Sequence, residues 1–191
     1  ALDQDPWRLV YADDAALVYV KKSGANAWLV QNKPRPFLTP NRLWPDGLDP
    51  VLANPKLVPK VLDELDRWLI ASPDSSQALL WKAYALDRLK LSEKAERLIV
   101  LAQGRRRLEW DGELVACLGF ILENRGQAVL AEKKYRRVVP LARRVGDPLL
   151  ESEVLTRLAP LSRRGGSEWE GRGFKERAKE LRAAAILEEA R

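Results

Sequence analysis

Residues 76–102, SQALLWKAYALDRLKLSEKAERLIVLA, and residues 112–138, GELVACLGFILENRGQAVLAEKKYRRV, align without a gap at a separation of 36 positions. Laid together, Leu79 meets Val115, Ala83 meets Gly119, Leu86 meets Leu122, Ala95 meets Ala131 and Ile99 meets Tyr135. Apolar residues recur at three- and four-residue spacing in both halves of each stretch, which predicts two amphipathic helices joined by a turn. The small residues Ala83 and Gly119 mark a close crossing of the two helices. Ala95 and Ala131 mark a second close contact, with the following unit, and Ile99 and Tyr135 fill the space between units. One helix pair cannot bury both of its faces, so such pairs stack.

The helical pattern extends outward from this core. Val58, Val61, Leu62, Leu65, Trp68 and Leu69 form one apolar stripe over 57–71. Ser72-Pro73-Asp74-Ser75 ends it, and Ser75 or Ser76 can cap the next helix. Residues 148–161 and 174–190 read as a further helix pair, separated by a flexible loop containing Arg163-Arg164-Gly165-Gly166. Upstream, Trp7, Leu9 and Tyr11 alternate with Arg8 and Val10, and Ala16 to Val20 is rich in β-branched and aromatic residues. This predicts a β-hairpin with an acidic turn at Asp13-Asp14, which must pack on something to be stable. Residues 23–33 read as either a short helix or a third strand. Six prolines over 34–58 exclude a long helix or a central strand, and predict an extended, ordered linker pinned by Phe37, Leu43 and Trp44.

Gly119, Gly126, Ala131 and Tyr135 together resemble the tetratricopeptide repeat: a small residue on the first helix, glycine at the turn, then a small residue and an aromatic on the second. The earlier unit departs from that pattern, with Lys90 at the glycine position and Ile99 at the aromatic one. The resemblance implies a mainly α fold, an antiparallel helical-hairpin (TPR-like) array with a small N-terminal β-hairpin. Its units would be 57–75 (partial), 76–109, 112–145 and 148–190 (degenerate). The alternative is a generic helical hairpin bundle. The domain division expected is 1–56, the hairpin and proline-rich linker packed on the repeats, and 57–191, the repeats.

In that family the first helices line a concave groove. Carried over, its positions are Gln77, Leu80, Tyr84 and Asp87, then Glu113, Ala116, Phe120 and Glu123. The set implies a protein or peptide partner, a helix or extended segment with basic and apolar side chains. The Lys/Asn set that clamps a peptide carboxylate in some members is absent. The competing expectation is that the chain's own N-terminal segment fills the groove.

Composition bounds the chemistry. There is no histidine and one cysteine, so Ser-His-Asp and Cys-His catalysis and His-based metal sites are excluded, and no intrachain disulfide can form. No Asp/Glu spacing resembles a metal site, and no catalytic residue, cofactor or metal is expected. Cys117 sits among apolar neighbours and reads as packing. Residues 1–75 hold nine Lys/Arg and ten Asp/Glu, and residues 76–191 hold 24 and 17, so the net charge is −1 against +7. Arg105-Arg106-Arg107, Arg136-Arg137 and Arg143-Arg144 could touch phosphates, but no aromatic-interleaved platform accompanies them. Nucleic acid is therefore the weaker expectation beside a protein partner. No run of about 18 apolar residues occurs, and no signal peptide is visible. The chain contains no methionine, which reads as an excised or processed piece.

The N-terminal run Trp7-Arg8-Leu9-Val10-Tyr11, Asp13-Asp14, Ala16-Leu17-Val18-Tyr19-Val20, with Asn26 and Leu29, resembles the soluble tail after the last membrane span of some bacterial polytopic glycosyltransferases. That resemblance implies an extracytoplasmic (periplasmic) location, membrane attachment through an upstream region, and catalysis elsewhere than in these residues. Three functions follow as expectations: a non-catalytic protein-interaction scaffold, an accessory domain contacting glycan or lipid-linked sugar, and a basic surface for nucleic acid or anionic lipid.

Overall fold

The computed structural model describes residues 6–12, 17–32, 38, 45–105 and 111–189. The chain is mainly helical, with one two-stranded sheet among the described residues. It divides into two compact units, Ala1–Ala102 and Gln103–Arg191, each described below by itself. The division falls at the end of a helix, at a different place from the compositional boundary near residue 56.

In the first unit, β1 (Trp7–Ala12) pairs antiparallel with β2 (Leu17–Lys21), with an irregularity between Leu9 and Tyr11. The acidic turn Asp13-Asp14 lies outside the described residues. A 3-10 turn, Gly24–Asn26, leads into α1 (Ala27–Asn32), so the segment after the hairpin is helical, not a third strand. Helix α1 packs back on both strands.

The proline-rich segment corrects one expectation. Phe37, Leu43 and Trp44 lie outside the described residues, but from Pro45 the chain is not extended. A 3-10 turn, Pro45–Leu48, runs directly into α2 (Asp49–Leu52). Pro50 stands in the first turn of α2, where a missing N–H leaves no bond unmade. Leu38, Leu48 and Leu52 are buried, and the Leu38 N–H donates to Glu64 Oε1 at 3.2 Å. Short helical turns therefore let this segment sink apolar side chains into the core.

Helix α3 (Val58–Ala71) buries Val61, Leu65 and Trp68, and Trp68 meets Trp81 edge-on, with ring centroids 6.1 Å apart. Ser75 then caps α4 (Ser76–Arg88), its hydroxyl accepting from the Ala78 N–H. Leu91 N–H reaches back to Leu86 C=O, and Lys90 adopts φ 63° at the close of α4. Helix α5 (Ser92–Gln103) follows, burying Ala95, Ile99 and Ala102.

In the second unit, α6 (Gly112–Asn124), α7 (Ala128–Val145), α8 (Pro148–Arg164) and α9 (Glu168–Glu189) pack consecutively. Asp111 and Asp147 cap α6 and α8 through the N–H groups of Leu114 and Leu150. With Ser75, these caps recur every 36 residues. Left-handed residues follow α4, α6 and α8 at Lys90, Gly126 and Gly166, at intervals of 36 and then 40, and Gly146 closes α7 in the same conformation. Helix α8 is four residues longer than α6, about one added turn.

Here the structure corrects the expected 148–161 and 174–190 boundaries and the flexible loop between them. Arg163 and Arg164 still belong to α8, and Gly165-Gly166 form a helix closure in which Ser167 N–H donates to Ser162 C=O at 2.9 Å. Helix α9 can begin early, through two glycines, because Gly171 is a contact point: a Cβ there would lie 2.6 Å from Ala159 O on α8. Gly119 plays the same part on α6, where a Cβ would come within 2.7 Å of the Tyr135 ring on α7.

Helices α3, α5 and α7 share a burial pattern. Buried residues fall at Val61, Leu65 and Trp68 on α3, at Ala95, Ile99 and Ala102 on α5, and at Ala131, Tyr135 and Val138 on α7. No helix among the described residues is long and apolar enough to cross a membrane.

Candidate interaction surfaces

Of the eight carried-over groove residues, Leu80, Tyr84, Ala116 and Phe120 are buried, Gln77, Asp87 and Glu123 are half-buried, and Glu113 is exposed. Gln77, Leu80, Tyr84 and Asp87 belong to the first unit, and Glu113, Ala116, Phe120 and Glu123 to the second.

In the first unit, the Tyr84 hydroxyl donates to Asp49 Oδ1 at 2.7 Å. Asp49 also pairs with Arg88 at 3.1 Å. The turn Pro45–Leu48 and helix α2 both pack on α4, so the chain's own segment covers Tyr84. Burial first, and then the Asp49 hydrogen bond, raise the Tyr84 phenol above its ordinary range, which keeps it a donor.

In the second unit, Arg157 stands over the Phe120 ring, 4.5 Å from its centroid. The same guanidinium lies 3.3 Å from Glu123 Oε2, which also accepts from the Tyr135 hydroxyl at 2.8 Å. Burial, and then Glu123, hold the Tyr135 phenol protonated. Arg157 and Asp49 were not among the sequence-based candidates. Each acts across more than 30 residues of chain, and neither belongs to a motif.

The most open of the eight, Glu113, lines a recess of about 480 Å³ with Asp111, Leu141, Val145, Asp147 and Leu150. Burial at the rim, then Asp111 and Asp147, raise the Glu113 carboxyl above its usual range. Among the described residues no group of carboxylates is arranged to hold a metal ion. The lining of the recess sets apolar side chains beside Asp111 and Asp147, whose Oδ1 atoms accept from the Leu114 and Leu150 N–H groups.

The arginine clusters divide. Arg136 is held by Glu132 and Glu170 at 2.8 and 2.6 Å and lies over Phe174, and Arg143 pairs with the buried Glu151 at 2.8 Å. Both hold helices together. Arg106 and Arg107 lie outside the described residues. Cys117 is fully buried, and burial pushes its thiol up, away from nucleophilic use. Among the tryptophans, Trp68 and Trp81 are core, whereas Trp7, Trp28 and Trp169 are exposed.

No protein-family model matches this chain, and no curated protein matches it.

Proposed function

We propose that the chain is a non-catalytic protein-interaction scaffold built from tetratricopeptide-like helical hairpins. The observation carrying this reading is the shared 36-residue rhythm of caps, closures and burial. Ser75, Asp111 and Asp147 start helices, and Lys90 and Gly126 close them. Such arrays act by presenting side chains to a partner segment.

In this reading the open position is Glu113 in the second unit, because Tyr84 is covered by α2 and Phe120 by Arg157. The partner is a segment carrying a Lys or Arg beside apolar residues, with its cation at Glu113. The test is a photo-cross-linker at position 145, exposed on the rim of the same recess, in the intact protein with Glu113 kept, and the captured peptide is mapped by mass spectrometry. Capture of basic–apolar segments, lost in Glu151-preserving variants carrying Asp111→Asn and Asp147→Asn, supports the reading. Capture of acidic segments, or of none, overturns it. The proposed location, the extracytoplasmic face of a larger membrane protein, rests on the hairpin's resemblance alone.

A second reading, an accessory domain touching glycan or lipid-linked sugar, is favoured by the exposure of Trp7 and Trp28 near the hairpin. Unchanged tryptophan fluorescence on titration with oligosaccharide would remove it.

A further inference from the structure

The outer face of α9 departs from that of α7 at two positions. Counted from the closing glycines Gly126 and Gly166, Tyr135 corresponds to Lys175 and Ala142 to Arg182. Tyr135 and Ala142 are buried, in a helix that packs against α8. Lys175 and Arg182 are exposed. Arg172 and Lys179 complete the row at spacings of three and four residues, so all four cations share one side of the helix. Only Lys179 has a carboxylate within reach, Glu176 at 2.9 Å; Arg172, Lys175 and Arg182 pair with no acid among the described residues. Like charges at these spacings repel. Arg136, with two glutamates and a ring around it, shows how a cation on these helices is neutralised when its role is structural.

The row spans about 15 Å at the helical rise per residue. It ends at Ile186, one turn beyond Arg182 and 59% exposed. Trp169, three residues before Arg172 and 75% exposed, stands at the other end of the row, and no aromatic residue is interleaved between the cations as a single-stranded nucleic-acid platform requires. A flat line of cations closed by an exposed aliphatic residue matches an anionic headgroup layer with acyl chains beneath it.

We propose that α9 docks the chain on an anionic lipid surface through Arg172, Lys175, Lys179 and Arg182, with Ile186 entering the interface. This stands independently of the groove reading.

The experiment is co-sedimentation of the 191-residue chain with vesicles of phosphatidylcholine alone and of phosphatidylcholine mixed equally with phosphatidylglycerol. Two variants are compared. One changes Arg172, Lys175, Lys179 and Arg182 to Gln; the other changes the exposed Lys60, Lys94, Lys133 and Arg144 to Gln, removing the same charge elsewhere. Binding to the anionic vesicles alone is expected at low salt, falling roughly a hundred-fold or more in the α9 variant, at about 1 kcal/mol per cation. The control variant should keep most of it, and both should retain the wild-type circular dichroism. Any of three results overturns the proposal: no binding to anionic vesicles, equal loss in both variants, or displacement by duplex DNA at lower concentration than by lipid.

Discussion

The stretches that form α4–α5 and α6–α7 match in their first cap and in their burial pattern but differ at key positions. The second pair sets Gly119 against Tyr135, and no Cβ fits between them. The first has Ala83 and Ile99 at the matching positions, both buried. Gly119 and Tyr135 are thus matched in size across one contact, and the first stretch carries Ala83 and Ile99 at the same spacing. The closures differ too. Gly126 takes the left-handed conformation freely, whereas Lys90 holds φ 63° with a side chain that disfavours it.

The sharpest way to break this comparison is Gly119→Ala. The added methyl meets a ring held at its far end by Glu123, and overpacking of this kind destabilises by about 1–3 kcal/mol, measurable by urea unfolding. Combined with Tyr135→Ile, which copies the first pair, the cost should shrink well below the sum of the single changes. Additive losses would deny the pairing.

Next in size, Lys90→Gly should stabilise the protein by about 1 kcal/mol, and Gly126→Ala should destabilise it by a similar amount. Thermal melting of both variants checks the opposite signs. Asp147→Ala removes the side-chain cap of α8 and should also cost about 1 kcal/mol.

The smallest effect is expected at Glu113. Its folded carboxyl titrates above the unfolded value, so the charged form is disfavoured by folding at neutral pH, and the penalty vanishes below the unfolded value, about 4.3. Glu113→Gln should therefore raise the melting temperature slightly at pH 7 and leave it unchanged near pH 4. Glu170 has the opposite sign. Its bonds from Arg136 lower its carboxyl, so its contribution is present at neutral pH and fades as acid protonates it.

Local signals were readable in the chain. The Ser72–Ser75 break, the Gly126 closure and the apolar spacing over 57–71 and 112–138 need only near neighbours, and helices form there. Lys90 stood out as a departure from the glycine pattern, and its backbone is left-handed. Long-range pairing was not readable. Nothing near Phe120 announces that Arg157 covers it, and nothing near Tyr84 announces Asp49, because those partners are set by helix packing. The added turn of α8 was hidden because Gly165-Gly166 can read as a loop as easily as a cap. Gly171 reads as a helix breaker until Ala159 is seen beside it.

The most direct measurement is an NMR one, on protein labelled at glycine and tyrosine. If 112–145 is a helix pair closed on a small-to-large contact, Gly119 Hα must show strong cross-relaxation with the Tyr135 ring protons and an upfield ring-current shift that disappears in Tyr135→Ile. A Gly119 signal at its ordinary helical position, with no transfer to that ring, would contradict the repeat.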